Sequence, residues 1–274
     1  MTRWVVVGAG YTGARLVTAL RARGDEVIAT RRSGDERLVD LARPATLDGL
    51  FAAGDRVVIT APPIDGVGTG ERALGAAARA AEVARLIYVS STGVYAPAAG
   101  AWVDEAFAIA PITATGHARV AAEAALREAG VPTVVLRPPG IYGPGRGVVA
   151  RLRAGSYRVI GDGATCVSRV HVDDLVAALI AVGDAAAPGP IYNVADDDPG
   201  PSAEVAEAAA AALGLPPPPR VPLAAVDADT AGMLTADRRI DARRLRELGW
   251  APRYPSWRDG LAAELRAPVT PARP

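Results

Sequence analysis

The chain of 274 residues contains no lysine: all 30 of its basic residues are arginine, balanced by 30 acidic ones. That absence excludes a Schiff-base lysine, a lysine general base and a phosphate-loop lysine together. A single cysteine, Cys166, excludes an intrachain disulfide and a cysteine-cluster metal site. Only two histidines, His117 and His171, are present, so no metal site is expected. Balanced charge removes the basic excess that phosphate-backbone binding needs, so nucleic acid is not an expected partner. Apolar stretches are Ala-rich and interrupted by Arg, Glu or Gly before the about 20 residues that a membrane span requires, so no membrane attachment is expected. The start, MTRWVVVGAG, enters a strand-like run without the apolar core and cleavage site of a secretion signal, so a cytoplasmic location is expected.

What is present is alternation. Short Val/Ile-rich runs (Trp4–Val7, Glu26–Thr30, Arg56–Thr60, Arg85–Ser90, Pro132–Arg137 and Pro190–Val194) are separated by Ala/Leu/Arg segments of helical character, among them Gly13–Arg23, Gly70–Ala84 and Gly116–Ala129. Continuous apolar runs alternating with helices predict an α/β chain with a doubly wound parallel sheet of Rossmann type. After Pro138 the texture changes to proline- and glycine-rich loops, with helices at about Val172–Val182, Ser202–Leu213 and 238–249. The expected division is a nucleotide-binding domain over 1–165, its sheet completed by about 166–196, and a smaller substrate lobe with the C-terminal helices over 197–274. Only APVTPARP, at the end, reads as lacking order.

VVVGAGYTGARL carries Gly8, Gly10 and Gly13 as G-x-G-x-x-G, with Tyr11 and Thr12 inside it. The motif follows a predicted strand and opens a predicted helix, the context in which it binds a dinucleotide pyrophosphate at the helix N-terminus. At the end of the second strand, where NAD-binding versions place an acidic residue, stand Arg31 and Arg32. Guanidinium groups clamp a 2′-phosphate, so NADP(H) is expected over NAD(H); the alternative is an arginine that stacks on adenine or stays solvated. Ala61 and Pro62, just past the next strand, are expected to wall the cofactor site.

RLIYVSSTGVY (85–95), LRPPGIYGPG (136–145) and SRVHVDDLVAAL (168–179) follow in that order. With the glycine turn, IYNVADD (191–197) and RLRELGWAPRYPSWRDGL (244–261), they resemble the extended short-chain dehydrogenase/reductase superfamily, the NAD(P)-dependent epimerase/dehydratase group, over nearly the whole chain. The resemblance implies a Rossmann-type domain with a small substrate-binding lobe. It implies that Ser91, four residues before Tyr95, hydrogen-bonds the reacting oxygen, that Ser90 and Pro138 border the cofactor, and that Thr92 borders the substrate. Sugar 4,6-dehydratases of this kind carry Thr-Asp-Glu where this chain has Ser91-Thr92-Gly93, which argues against that dehydration.

The family's remaining catalytic pair is Tyr-x-x-x-Lys on the following helix. Aligned on PITATGHARVAAE (111–123), Thr115 falls at the Tyr position and Arg119 at the Lys position, so the chain looks like the atypical subgroup without that pair. Arg119 retains a permanent positive charge for the nicotinamide ribose. Thr115 is a far weaker acid than a phenol, and losing a positioned general acid costs about 10²–10⁴ in rate. Other proton donors come into view. Tyr142, on the substrate-facing loop, is a candidate; His117 lies about 200° around the helix from Thr115 and should face away. His171 reads as support between lobes, and Asp104 and Glu105 as loop charges of which Glu105 could act as acid or base.

These readings give an NADP(H)-binding oxidoreductase or epimerase-like enzyme for a small polar metabolite with a non-standard proton donor. Alternatives are a non-redox elimination or cyclisation enzyme on the same fold, or a non-catalytic NADP(H)-binding sensor. Tyr142, Arg146, Arg151, Arg169 and Arg238 are the substrate-lobe candidates, the arginines suiting a phosphate or carboxylate. The resemblance also implies a homodimer through the helices after the third and fourth strands.

Overall fold

Six of the apolar runs and one short exposed strand, β3, form one parallel sheet: β1 (Arg3–Val7), β2 (Glu26–Arg31), β3 (Arg37–Leu38), β4 (Arg56–Ile59), β5 (Arg85–Val89), β6 (Thr133–Arg137) and β7 (Ile191–Asn193). The structure is a computed structural model that describes residues 2–185 and 190–266; APVTPARP lies outside the described residues. The strand order is β7-β6-β5-β4-β1-β2-β3. It reverses direction between β1 and β4, which opens a ligand crevice at the C-terminal ends of those strands.

Strand periodicity assigns each side chain to a face. Trp4, Val6, Val58 and Ile87 point to one side, where they pack with Leu16, Val17 and Leu20 of α1 (Tyr11–Ala22) and Leu175 and Leu179 of α5 (Val172–Asp184). Val5, Val7, Val57 and Leu86 point to the other, against Leu74 and Ala78 of α2 (Thr69–Ala80) and Ala122 and Leu126 of α3 (Ala114–Glu128). Burial on both faces is why these strands lack polar alternation.

The small lobe is built from α4 (Val148–Arg153), α6 (Ser202–Ala212), α7 (Ala228–Thr235) and α9 (Trp257–Arg266), while α8 (Arg243–Glu247) packs through Leu245 on the core of the sheet beside β7. Short strand pairs tie the lobe together: Gly140–Tyr142 with Arg169–His171, Val159–Ile160 with Arg220–Val221, and Cys166–Val167 with Gly200–Pro201. The division at 165 therefore needs correction. Residues 148–165 pack with the small lobe, through α4 on α6 and through the 159–160 pairing, while α5 and β7 return to the sheet as expected. The helix expected over 238–249 is also shorter. Arg239–Ile240 pairs with Trp102–Val103, and the Asp241 carboxylate accepts from the Arg243 N–H, a local bond that competes with the helix and delays its start to Arg243. Among the described residues no helix is long and apolar enough to cross a membrane.

Candidate active site

The glycine turn closes as its spacing requires. Gly8 has φ +97°, and a methyl group on Gly13 would stand 2.4 Å from the Gly8 carbonyl oxygen, so α1 leaves β1 at a separation that only glycine permits. At Gly10 a methyl group would meet nothing nearer than 4.0 Å. No side chain caps α1, and its N-terminus faces a cavity of about 690 Å³ lined by Gly8, Gly10, Arg31, Arg32, Ala61 and Pro62. Arg31 and Arg32 are exposed, and neither has an ion-pair partner among the described residues. An open cradle for a pyrophosphate, with two unpaired guanidiniums at its far end, fits a 2′-phosphorylated dinucleotide.

Tyr11 and Arg146 depart from their expected roles. The Tyr11 ring turns from the cavity toward the small lobe, beneath Arg15 (4.1 Å) and Arg146 (5.2 Å). Its hydroxyl is buried beside Gly143 without a partner, and burial pushes it up to about 12. Tyr11 is left with its backbone as its cofactor-facing part, and Arg146 packs on an aromatic ring rather than lining a substrate cavity. Thr12 is buried in the first turn of α1.

Ser91 lies two residues beyond the C-terminal end of β5. Its Oγ accepts the Gly93 N–H at 3.0 Å, which orders the turn Thr92–Val94 and leaves the serine proton free to donate. Thr92 is buried, and its N–H donates to the Pro138 carbonyl at 3.1 Å. The first turn of α3 closes on this turn: a methyl group at Gly116 would be 2.6 Å from the Gly93 oxygen. Arg119, one turn along, donates through Nη1 to the Val89 carbonyl (2.7 Å) and to the Tyr88 hydroxyl (3.0 Å), which burial pushes up to about 12. Ser91, Thr115 and Arg119 thus belong to one corner. Tyr95 is fully buried, and its hydroxyl donates to Asn193 Oδ1 at 2.8 Å.

Three sequence expectations at this corner are corrected. Ser90, one residue from Ser91, points to the opposite side of its strand; its hydroxyl donates to Glu123 (2.6 Å), which also takes both Nε and Nη2 of Arg137, so Ser90 is part of a buried network and not of the cofactor wall. Thr115 is exposed. Its N–H and that of Ala114 donate to the Asp229 carboxylate of α7, 3.1 and 2.8 Å away, and the Thr115 hydroxyl with these N–H groups holds Asp229 below the usual carboxylate range. The Thr115 hydroxyl lies 3.3 Å from that of Thr113, whose oxygen caps the helix, so it is engaged at the start of α3. Tyr142 does not reach this corner: it is buried, edge-on to His171, with its hydroxyl against Gly260 of α9, and burial raises its pKa. Its apolar surroundings hold the phenol neutral, in the wall of a separate small-lobe cavity.

The remaining candidates are placed as follows. His117 is exposed. His171 is buried; its Nδ1 accepts the Asp173 N–H and caps α5, and burial lowers its pKa. Asp104 accepts the Ala106 N–H, and Glu105 accepts the Asn193 N–H at 2.7 Å, a tie between loop and sheet. Arg151 lies over Tyr157, and Arg238 is spent on the Tyr95 and Ala96 carbonyls. Only Arg169 among the expected substrate arginines is buried and lines a cavity. Sequence reasoning missed Asp229. Its residue type marks the start of a short helix, but its contact with α3, 114 residues away, leaves no local signal.

Asp196 was not foreseen either. Its carboxyl is buried with no donor to either oxygen, and burial pushes it up to about 8 against the opposing pull of Arg169. The folded state therefore keeps a proton that the unfolded chain releases near pH 4, so this group's stability contribution is complete below pH 4 and erodes as pH rises to about 8. Asp196→Asn is expected to match the parent near pH 4 and to unfold at higher temperature above pH 8, with a gap of several kcal/mol, about 1.4 per pH unit across the window at most. Thermal scans from pH 4 to 9 check this; a constant offset would refute it.

The sequence profile of the NAD dependent epimerase/dehydratase family matches residues 4–195. A Streptomyces protein named 3-diazoavenalumate denitrifying reductase is 34% identical over 96% of this chain and 100% of its own. The 2-alkyl-3-oxoalkanoate reductase of Stenotrophomonas maltophilia is 30% identical over 77% and 76% of the two chains. Human epimerase family protein SDR39U1, solved with NADPH, superposes with a TM-score of 0.83 at 22% identity, covering 97% and 99% of the two chains.

Proposed function

Because this chain belongs to the NAD dependent epimerase/dehydratase family, we propose that it is an NADPH-dependent reductase that delivers hydride to a small organic acceptor held beside Ser91. The observation that carries this reading is the pairing of a dinucleotide cradle having free guanidiniums with a Ser91 hydroxyl whose proton is uncommitted. Bound NADPH supplies the hydride. The chain's own groups position it: the α1 N-terminus takes the pyrophosphate, Arg31 and Arg32 the 2′-phosphate, and the unengaged donors of Arg119 the nicotinamide ribose. Ser91 orients the acceptor by donating its proton's hydrogen bond.

The phenol at this corner, Tyr88, is buried and accepts from Arg119, and the exposed Thr115 is an aliphatic alcohol, a far weaker acid. The site therefore suits an acceptor that needs no protein-borne proton. The Streptomyces relative is named for a denitrifying reduction of a diazo compound. In a step of that class, hydride forms a C–H bond as the C–N bond breaks, the bonding pair leaves with dinitrogen, and no oxyanion needs protonation. The second relative, named for reduction of an oxo acid, supports the reductive direction.

The test uses NADPH carrying deuterium at the 4R or the 4S position, with 4-carboxybenzenediazonium and a 3-oxo acid as acceptors. One isomer alone is expected to label the product, at the carbon that lost dinitrogen or at the new carbinol carbon. Label from neither isomer, or equally from both, in protein that binds NADPH would sink the reductase reading.

A further inference from the structure

We propose that the small-lobe cavity is a binding site for the body of an aryl-sized carboxylate, with its acid group held by Arg169. The assignment rests on the reductase reading for its use in turnover, but it concerns binding and is tested without turnover. The cavity, about 210 Å³, starts at Gly140, two residues beyond Pro138, whose carbonyl fixes Thr92 next to Ser91. Leu234 of α7, the helix that caps α3 through Asp229, lies in its wall.

The walls are mainly apolar, with Ile141, Val149, Val205 and Leu261 among them, joined by the rings of Tyr157 and Trp257; Arg151, Arg169, Ser202 and Glu264 add polar groups. Stripping the hydroxyls of a sugar of water against the apolar side chains would be costly, which favours a ring in that part of the cavity. A cavity of about 150 Å³ takes a benzene ring, so this one has room for a ring with a short arm.

Arg169 makes the site selective for an acid. It is 7% exposed, and its Nη1 donates to the Val167 and Gly200 carbonyls at 2.7 and 3.4 Å. No carboxylate pairs with it among the described residues, and the rest of the guanidinium opens on the cavity. A guanidinium stays charged even when buried, and a buried charge without a counter-ion is costly, so an anion entering here recovers what the empty site lacks. Carboxylate geometry matches the fork of the guanidinium. The Tyr142 hydroxyl and Trp257 Nε1, in the same wall, are two more donors without partners. Glu264 lines the same cavity and Asp196 is within electrostatic reach of Arg169, but neither forms an ion pair with it, and burial pushes the two acids up to about 7 and about 8.

Calorimetry on the full chain loaded with NADP+ tests the assignment, with 3-phenylpropanoate, its amide and 3-phenylpropylamine as probes. The acid is expected to bind at least about 30-fold more tightly than the amide, as loss of a charged hydrogen-bond pair implies, and the amine not at all. Arg169→Leu should abolish the preference for acid over amide. NADPH titration of that variant reports its fold, and the ligand series on the unmodified chain decides the matter if the variant does not fold. Equal binding of acid and amide, or binding of neither by protein that binds NADPH, overturns the proposal. Acid-selective binding without stereospecific hydride transfer keeps this site and removes the reductase reading alone.

Discussion

Exchanging Arg31 and Arg32 together for alanine is expected to raise the Kd for NADPH by at least about 10²-fold and to leave that for NADH within a few-fold. Both side chains line the cavity at the end of β2 and lack a carboxylate partner among the described residues, so no acid there competes for them. The only part of NADPH that NADH lacks is the 2′-phosphate, so a loss confined to NADPH locates the contact. Each charge-assisted hydrogen bond contributes about 1.5–3 kcal/mol, and the two lost together exceed the effect of any other exposed pair on the molecule. Because both groups are exposed, the NADPH preference of the parent should shrink as salt is raised, and the double variant should show little salt dependence. Fluorescence titration of both nucleotides at low and high salt is the measurement. An equal loss for NADH would mean that the arginines stack on adenine instead.

Six strands of the sheet were legible in the sequence because burial on both faces writes itself as an unbroken apolar run; the exposed edge pair Arg37–Leu38 carries no such run and was not. Trp4–Val7 and Arg56–Thr60 needed no context to be placed. The small lobe wrote no such signal. Val159–Ile160 and Arg220–Val221 are two-residue strands that exist only because they meet each other, 61 positions apart by register. A pattern of period two needs more than two residues to be seen, so the stretch 148–165 was assigned to the wrong lobe. The segment 238–249 failed for a different reason. Its composition is helical throughout, but the Asp241 side chain offers the backbone a closer partner and breaks the run.

Site residues followed the same division. Gly8, Gly10 and Gly13 could be read because each answers a backbone constraint local to the turn. The serine pair could have been read more finely: neighbours on a strand face opposite sides, so Ser90 and Ser91 cannot both line the crevice. One goes to Glu123 and the other to the turn before α3. The Thr115–Asp229 contact and the seating of Tyr142 against Gly260 were beyond reach, since both depend on how the small lobe lies over the sheet. Tyr142 belongs to a motif that the resemblance gives a substrate-facing role; in this chain that role is to wall the small-lobe cavity.

Ser91→Ala is expected to lower kcat by about 10²–10³ with KM changed only a few-fold, the loss that follows removal of one preorganised donor at a reacting centre. The Ser91 Oγ is fixed from one side by the Gly93 N–H, which leaves its own proton aimed outward at no cost in reorganisation when charge develops on the acceptor. Alanine removes that donor and also uncaps the turn Thr92–Val94, so cofactor binding must be measured beside turnover; an unchanged Kd for NADPH shows that the turn has survived. Thr115→Val is the companion. Its hydroxyl sits 3.3 Å from that of Thr113 at the start of α3, and the two backbone N–H bonds to Asp229 do not depend on the side chain. The valine variant should therefore keep kcat within a few-fold, where a proton-donating threonine would lose as much as the serine does. The reverse outcome, with Thr115→Val crippled and Ser91→Ala active, would move the catalytic hydroxyl from β5 to α3 and place the proton donor at the position where the family carries its tyrosine.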